Sequence, residues 1–381
     1  MRFRTNIPKI KPYFEDLSCH SMAFYPFFSN KLHLIEKYSR KIGMEKLLLE
    51  SDNDFTLIFR LPSEQKYSRI LRIRKMCEKC VIKRCYQIGN IIWPDNIEHR
   101  INEHKLYPSE YFINTILNIR IINGYILNPP IVLDPSIIKY FRYIPLHHNK
   151  LLILDALMKQ GSQPRYEYNG QYVYSEHYGV LTVKDFTIDN IIVSTDGRID
   201  SGDDKIILPS NNNLMKEHEY IFHTHPNSSI IGGRIEEGVI YEFPSANDII
   251  NFVKYHYNGR VQASIIISPE GMYVIRPIIF GFRPDISNEF FRSLEQFILK
   301  LEKLAIKKFN SFRPFMNDPN FFHPRIGQDF RYIELYNKYI NSANLFVEYY
   351  PRKKKNGEWC LESANLPYVD NFSLISELYK K

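Results

Sequence analysis

The sequence predicts an α/β protein of the α+β type, in which a mixed sheet is flanked by helices. Two observations carry this prediction. Short runs of β-branched and aromatic residues recur through the middle of the chain and are typical of strands. Amphipathic stretches that begin with a serine alternate with these runs and indicate capped helices. The 381 residues are 44% hydrophobic and 24% charged, which suits a folded chain of two or three domains.

Residues 1–144 form the first predicted domain, a mixed α/β region whose role the sequence does not reveal. Residues 54–61 favour a strand, and residues 68–75 alternate loosely as its candidate partner. Helical segments are predicted within residues 93–118, with Ser109 as an N-cap. A module that positions a substrate or docks a protein partner is the natural expectation for such a region.

The same region contains the one cysteine cluster, Cys77, Cys80 and Cys85, among five cysteines in all. One interpretation is a structural zinc site with Cys19 or His20 as the fourth ligand. The alternative is a set of reduced thiols in an intracellular protein, and we favour it because no fourth ligand lies nearby in sequence.

Prolines within residues 128–135 mark a linker into the second predicted domain, residues 145–284. Its first elements are a leucine-rich helix at 151–158 and a strand at 176–183. Gly179 within that strand permits close approach of a neighbouring backbone. A second strand follows directly.

The next strand, residues 219–225, ends in the motif His223-Thr224-His225-Pro226. Because side chains alternate along a strand, the imidazoles of His223 and His225 share one face. Pro226 cannot donate a hydrogen bond and therefore ends the strand. The two histidines are thus expected at the mouth of the strand, where a ligand can reach them.

The helix that follows begins with Ser245 as N-cap and Asp248 at the third helical position. A carboxylate in the first turn is favoured by the helix dipole and can lie near the strand end. Two nitrogens and one carboxylate, with a fourth position for water, are how a catalytic zinc is usually held. The alternative is a capped helix beside two unrelated histidines.

A β-hairpin at residues 265–274 closes the domain, with Pro269-Glu270-Gly271 as its turn.

Together these segments resemble the JAMM (MPN+, or JAB-domain) zinc metalloprotease family, whose pattern is an upstream glutamate, then H-x-H-P, then S-x-x-D. Glu176, Gly179 and Leu181 resemble the glutamate strand of that family, and the flanking helix and hairpin match as well. The resemblance covers roughly residues 145–280, somewhat over a third of the chain. It implies an MPN core of the cytidine-deaminase-like kind.

The resemblance also implies roles for five residues. His223, His225 and Asp248 would hold one zinc ion, Glu176 would act as general base, and Ser245 would donate to the oxyanion. The implied activity is that of a deubiquitinase-like isopeptidase, with a conjugate of ubiquitin or a ubiquitin-like protein as substrate. The alternative is a non-catalytic interaction or structural protein, such as a virion component, that keeps the domain as a docking surface.

The chain departs from the family pattern in one place. Family members usually place about seven residues between the H-x-H-P proline and the serine, whereas residues 227–244 fill that gap here. The longer stretch is glycine-flanked and charged, so it could be a mobile flap over the site. A surface loop that touches nothing remains the alternative.

Residues 285–381 form the third predicted domain, mostly helical with a β-hairpin. Ser287 is expected to cap a helix, and residues 330–340 predict a second one. The first helix carries an apolar stripe that predicts core packing, with a groove for a partner helix as the alternative. The members of the stripe are Phe290, Leu294, Phe297, Leu301 and Leu304.

The predicted hairpin pairs residues 345–350 with residues 358–361. Its tip, residues 352–357, is basic and ends in Asn-Gly, which favours a tight hairpin turn. A nuclear signal is the alternative interpretation of the basic run.

Charge and hydropathy narrow the class of partner. The formal net charge is +8, from 50 basic and 42 acidic residues, and an excess of this size mostly serves solubility. A nucleic-acid partner is not favoured, because no RNP motif, zinc finger or basic helix is present. A membrane is not expected either, since no run approaches the ~18 apolar residues that span a bilayer.

The N-terminal residues lack the apolar core of a signal peptide, so the predicted compartment is the cytoplasm, with the nucleus as the alternative. Ile, Asn, Lys and Tyr recur throughout, a bias typical of AT-rich genomes, large DNA viruses among them. For a viral source, the expected location becomes the host cell or the virion.

Overall fold

The computed structural model divides the chain into two compact units, Pro8–Val132 and Leu133–Lys381 together with Met1–Ile7. It describes residues 13–14, 25–43, 84–88, 91–104, 108, 110–134, 136–163, 165–166, 172–173, 175–194, 213–226, 240–284 and 286–380. The fold is a mixture of helices and sheets, as the sequence predicts, and is of the α+β class. Within the described ranges no helix is both long enough and apolar enough to cross a membrane.

The unit Pro8–Val132 contains a four-stranded sheet with strands in the order β1-β4-β3-β2. Trp93, buried in β4, packs edge-on against Phe112, which in turn contacts Phe28. The elements are β1 (Tyr13–Phe14), α1 (Tyr25–Glu36), β2 (Arg40–Gly43), β3 (Arg84–Ile88), β4 (Ile91–Pro94), α2 (Ile97–His104), α3 (Glu110–Asn118), β5 (Ile121–Ile122) and β6 (Tyr125–Ile126).

The predicted start of the helical segments in this unit is corrected, and the other predictions for it fall mostly outside the described residues. The helical segments begin only at α2, because Trp93 belongs to β4, where its ring stacks on Tyr86 of the neighbouring strand. The strands predicted at 54–61 and 68–75, and Ser109, lie outside the described residues. So do four of the five candidate ligands of the cysteine cluster, whereas Cys85 lies buried within β3.

The second unit is larger and contains a six-stranded sheet, described below. Its strands are β7 (Val132–Leu133, at the start of the unit), β8 (Phe141–Leu146), β9 (Arg165–Tyr166), β10 (Tyr172–Val173), β11 (Tyr178–Lys184), β12 (Thr187–Val193), β13 (Tyr220–Thr224), β14 (Ala263–Ile267), β15 (Gly271–Pro277), β16 (Ile279–Phe280), β17 (Leu345–Pro351), β18 (Lys353–Lys355), β19 (Glu358–Cys360) and β20 (Ala364–Val369). Its helices are α4 (His148–Gly161), α5 (Asn213–Glu217), α6 (Ala246–Asn258), α7 (Asn288–Phe309), α8 (Pro319–Phe322), α9 (Arg331–Ile340) and α10 (Phe372–Leu378).

The six-stranded sheet has the order β12-β11-β13-β14-β15-β17. All neighbours are antiparallel except β13 and β14, which run parallel. A parallel pair needs a crossover connection, and α6 provides it. Because the two strands run in the same direction, the C-terminal ends of β13 and β14 lie at the same edge of the sheet.

The two faces of the sheet have different neighbours. Tyr220 and Phe222 of β13 belong to the main apolar core, together with Leu154 and Met158 of α4. Since side chains alternate along β13, His223 points to the opposite face. This alternation separates the apolar packing layer from the polar site described below.

Gly179 permits the close strand contact that the sequence predicts. A Cβ atom at this position would lie 1.9 Å from the carbonyl oxygen of Ile192 in β12. Only glycine therefore allows β12 to pair with β11 at this distance, immediately beside the start of β11.

The C-terminal segment departs from the predicted hairpin. Strand β17 pairs with β15 and becomes the sixth strand of the sheet. The hairpin consists instead of β18 and β19, joined at Asn356 and Gly357, both with positive φ (52° and 89°) as a tight hairpin turn requires. Arg352, predicted at the exposed tip, is buried and bonded to Asp155, so the exposed basic residues of the tip are the three lysines of β18.

Helix α7 begins where predicted, because the Phe290 backbone N–H donates to Ser287 Oγ at 3.0 Å. The buried residues of α7 follow the 3.6-residue period of the helix, which Leu304 does not match. The side chain of Leu304 is therefore 54% exposed rather than buried. The buried members are Phe290, Leu294, Ile298, Leu301, Ala305 and Phe309.

Candidate metal centre

Three polar side chains from two elements meet at one end of the central sheet. His223 lies in β13, His225 directly follows that strand, and Asp248 lies in the first turn of α6. The Nε2 atoms of the two histidines are 3.1 Å apart, and His223 Nε2 is 3.2 Å from Asp248 Oδ1. His225 Nε2 is 3.7 Å from Asp248 Oδ2. All three residues are at most 2% exposed.

The backbone explains why the two imidazoles face the same way. The N–H of His225 donates to the carbonyl of Ile267 at 2.8 Å, which extends the β13–β14 pairing one residue beyond Thr224. His225 therefore keeps the alternation of the strand although it lies outside it. The predicted common face of the two histidines is confirmed.

A backbone carbonyl determines which nitrogen of His225 is protonated. His225 Nδ1 lies 3.2 Å from the carbonyl oxygen of Glu242. A carbonyl only accepts hydrogen bonds, so Nδ1 carries the proton and Nε2 presents its lone pair toward His223 and Asp248. Such a partner on the remote nitrogen is usual for an imidazole that binds a metal.

Asp248 is held by the cap of α6. Ser245 Oγ accepts from the Asp248 backbone N–H at 3.1 Å, and Asp248 Oδ2 accepts from the Ser245 N–H at 2.7 Å. This reciprocal capping box confirms the predicted N-cap. Burial alone would raise the pKa of the Asp248 carboxyl, but the positive charges that His223 and His225 carry when protonated, together with the hydrogen bonds from His223 and the Ser245 N–H, outweigh burial and lower it. The carboxyl is therefore an anion, as a metal ligand must be.

The donor set and its spacing fit one zinc ion. Ligand atoms about 2.0–2.1 Å from a tetrahedral zinc lie ~3.3 Å from one another. The two Nε2 atoms are 3.1 Å apart and Asp248 Oδ1 is 3.2 Å from His223 Nε2, while the contact with His225 Nε2 is made by the other carboxylate oxygen at 3.7 Å. Two imidazole nitrogens and one carboxylate oxygen are also the donor types that zinc accepts. Among the residues that the structure describes, no other group of three histidine, cysteine, aspartate or glutamate side chains converges in this way.

Glu176 is anchored on both sides of its position. Before it, the Ser175 N–H donates to the carbonyl of Gly161 at the end of α4. After it, the Thr224 N–H donates to the carbonyl of His177, and the His177 N–H donates to Thr224 Oγ1. The strand predicted from residue 176 begins only at Tyr178, so Glu176 lies two residues before β11. Tyr178 pairs with His223, and continuing that antiparallel register by two residues would bring Glu176 opposite His225, on the face that carries the histidines.

Ser245 lies at the junction of the loop and α6, and it is half-buried. Its hydroxyl oxygen is engaged as the acceptor of the cap. No described residue accepts a hydrogen bond from its O–H, so the proton can be donated to a ligand.

Three residues around the site have no signal in the sequence. Glu242 provides the carbonyl that faces His225. Glu270 accepts a hydrogen bond from the Glu242 N–H at 2.7 Å. Tyr336 of α9 donates to the carbonyl of Pro244 at 2.8 Å. Each is recruited by a contact between distant segments, which residue spacing along the chain does not encode.

Only the end of the long insertion is described. Residues 240–244 pack closely, and Tyr241 stacks on Phe243 while its hydroxyl donates to the carbonyl of Ile326. This end of the insertion is therefore fixed against the protein rather than free to move. The remainder, residues 227–239, lies outside the described residues, so a flap there stays a prediction.

The fold and site thus define an α+β protein with a buried cluster of two histidines and one aspartate. No family model matches the chain, and no solved structure matches it. The chain is 48% identical over 366 residues to uncharacterized protein R413 of Acanthamoeba polyphaga mimivirus. The match covers 94% of this chain and 98% of that protein, so the chain belongs to the family of this viral protein.

Proposed function

We propose that this protein is a zinc-dependent isopeptidase or peptidase of the JAMM type, with the activity of a deubiquitinase-like enzyme. The observation that carries the proposal is the convergence of His223, His225 and Asp248 at spacings that suit zinc. The order of elements supports it too. Helix α4, the segment with Glu176 that leads into β11, the H-x-H-P strand β13, the capped helix α6 and the hairpin β14–β15 follow one another in the order that the resemblance implies.

His223, His225 and Asp248 would hold the ion through Nε2, Nε2 and a carboxylate oxygen. When bound there, zinc supplies a fixed positive charge and lowers the pKa of water toward ~7. Neighbouring groups of the chain orient the ligands: the Glu242 carbonyl sets the tautomer of His225, and the cap of α6 holds the carboxylate of Asp248 in place.

Glu176 is the proposed general base. It is half-buried, and continuing the β11–β13 register to residue 176 would bring it to the histidine face, which supports this role. Its carboxylate would take the proton of the attacking water and pass it to the leaving amine, which otherwise departs poorly. The anchors at Ser175 and His177 hold its backbone in place for this transfer.

Ser245 is the proposed oxyanion donor. Its O–H has no acceptor among the described residues, and its oxygen is held in place by the Asp248 N–H. A hydroxyl held in this way can donate to the charge that develops on the substrate carbonyl oxygen. The substrate class, a conjugate of ubiquitin or a ubiquitin-like protein, rests on the family resemblance.

Metal content tests the site directly. We expect about one zinc per chain in the purified protein, and loss of that zinc in Asp248→Asn and His225→Ala, because each change removes a ligand. His147→Ala is the matched control, since His147 is exposed and its side chain makes no capping bond. Equal zinc content in all four proteins would show that the cluster is not the metal site.

Hydrolysis tests the reaction. We expect the zinc-loaded protein to cleave di-ubiquitin or a ubiquitin-tailed probe, and a chelator to abolish cleavage. Glu176→Gln should keep its zinc but lower kcat by about 10²–10⁴-fold, which is the usual contribution of a general base. The exposed Glu217→Gln should leave kcat unchanged. Zinc binding without cleavage of any isopeptide or peptide substrate would overturn the enzymatic proposal and leave a docking role.

A further inference from the structure

We propose that Glu270 is a positioning residue for the metal site: it holds the backbone of Glu242 so that the Glu242 carbonyl fixes the tautomer of His225. The inference rests on the proposed function, because it concerns the affinity of that same site for its metal. Glu270 lies in the turn between β14 and β15, where the sequence indicates only turn chemistry.

The side chain of Glu270 reaches into the protein and is fully buried. Its Oε1 accepts two hydrogen bonds, from the Glu242 N–H at 2.7 Å and from the Tyr273 hydroxyl at 2.6 Å. Its backbone carbonyl accepts from the Tyr349 hydroxyl at 3.0 Å. Main chain and side chain of Glu270 are therefore both fixed, and one carboxylate oxygen is aimed at residue 242.

Residue 242 links this contact to the metal site. Its N–H is bound by Glu270, and its carbonyl oxygen lies 3.2 Å from His225 Nδ1. Only the φ and ψ angles of Glu242 separate the two groups, so holding the N–H restricts the direction of the carbonyl. Tyr241 and Pro244 are anchored on either side by hydrogen bonds to other segments. Glu270 thus provides the anchor closest to the carbonyl that His225 needs.

The turn itself does not need the carboxylate. It is closed by the Ser268 N–H, which donates to the Gly271 carbonyl at 2.9 Å, and by Ser268 Oγ. Burying a carboxyl group carries a cost that only specific contacts can offset. The bond to the Glu242 N–H joins the Glu270 carboxyl to a distant segment, which points to the metal site as what the carboxyl supports.

The test compares four variants of the full chain. Glu270→Asp shortens the side chain by one methylene and so moves the acceptor oxygen away from the Glu242 N–H. Glu270→Met removes the acceptor oxygen. Glu270→Gln keeps an acceptor oxygen at full length. Tyr273→Phe is the matched control, because it removes the other hydrogen bond to the same oxygen and leaves the bond to Glu242 intact.

Three readouts are measured: zinc affinity by competition with a chelator, the visible spectrum of the cobalt-loaded protein, and hydrogen exchange of the Glu242 amide. We expect Glu270→Asp and Glu270→Met to bind zinc about 10–100-fold more weakly, as loss of a partner of a ligating histidine does. Both should exchange the Glu242 amide faster and show an altered cobalt spectrum. Glu270→Gln and Tyr273→Phe should match the wild type in all three.

Different outcomes overturn different statements. If the wild type binds zinc and Glu270→Asp binds it equally well, the positioning role is wrong and the proposed function stands. If Tyr273→Phe weakens zinc binding as much as Glu270→Asp, the effect is general loosening and the positioning role is wrong as well. If the wild type binds no zinc, the proposed function fails and this inference fails with it. Should Glu270→Met not fold, Glu270→Asp decides alone.

Discussion

Glu270 and Glu242 are two acidic residues in one small region next to His225. Burial, together with the negative charge of the nearby Glu242, raises the pKa of the Glu270 carboxyl to about 7. The hydrogen bond from Tyr273 acts in the opposite direction but does not cancel it. Near neutral pH the folded protein therefore exists as a mixture of forms with Glu270 protonated and ionised.

This raised pKa predicts a specific dependence of stability on pH. The folded state binds the Glu270 proton more tightly than the unfolded state, whose pKa is near 4.5. The free energy of unfolding should therefore fall as the pH rises from about 4.5 to about 7 and then level off. Glu270→Gln does not ionise, so it should gain stability over the wild type across this range, on the order of 3 kcal/mol by pH 8.

Urea unfolding of the metal-free proteins at pH 5 and pH 8 measures this difference. Titrating groups that do not interact with Glu270 contribute equally in both proteins and cancel, so the comparison reports the Glu270 carboxyl together with its coupling to Glu242. A stability difference that stays constant between the two pH values would show that Glu270 titrates normally in the folded protein.

At the scale of elements, two serines cap two helices in the same way but in different surroundings. Ser245 caps α6 beside the histidines, and Ser287 caps α7. Each accepts a hydrogen bond from the N–H three residues along, at 3.1 and 3.0 Å. Comparing the two serines separates the capping energy from any catalytic role.

We expect Ser245→Ala and Ser287→Ala each to lower the free energy of unfolding by about 1 kcal/mol, the usual cost of losing a cap. Only Ser245→Ala should also lower kcat, by about 10²–10³-fold, because it removes the proposed oxyanion donor. Denaturant unfolding and the isopeptide assay measure the two effects on the same samples. Equal loss of kcat in both variants would assign the effect to stability rather than to the oxyanion.

At the scale of the whole molecule, the C-terminal segment completes the second unit. β17 is the sixth strand of the central sheet, and its Glu348 forms a buried ion pair with Arg276 of β15. β20 pairs with β8, and the side chain of Gln262 bonds the backbone of Val369 in both directions. The site-bearing sheet therefore depends on residues far along the chain.

This arrangement predicts how fragments behave. A fragment of residues 145–284 should fail to fold stably, because it lacks β17 and leaves Arg276 as a buried charge without its partner, a loss worth about 3–5 kcal/mol. A fragment of residues 133–381 contains every strand of the central sheet and should fold. Circular dichroism and thermal unfolding of the two fragments test this, and cooperative unfolding of the shorter one would contradict it.

Local spacing was enough to predict much of the site. Alternation along β13 put His223 and His225 on one face, and the S-x-x-D start of α6 predicted the capping box that holds Asp248. The same local rules predicted α4, α7 and the β14–β15 hairpin, because periodicity and capping act within a few residues. For α7, the predicted apolar stripe did not follow the 3.6-residue period closely enough, so it included Leu304, which is exposed.

The tertiary structure decided what depends on distant partners. β17 pairs with β15 along seven residues instead of forming the predicted hairpin. Arg352 is buried instead of lying at the hairpin tip, because Asp155 and the carbonyls of Ser268 and Pro269 bind its side chain. The role of Glu270 likewise appears only when the end of the long insertion comes to lie against the β14–β15 turn. Residue spacing determines on which face of a helix or strand a side chain lies, whereas the tertiary fold determines which distant residues contact that face.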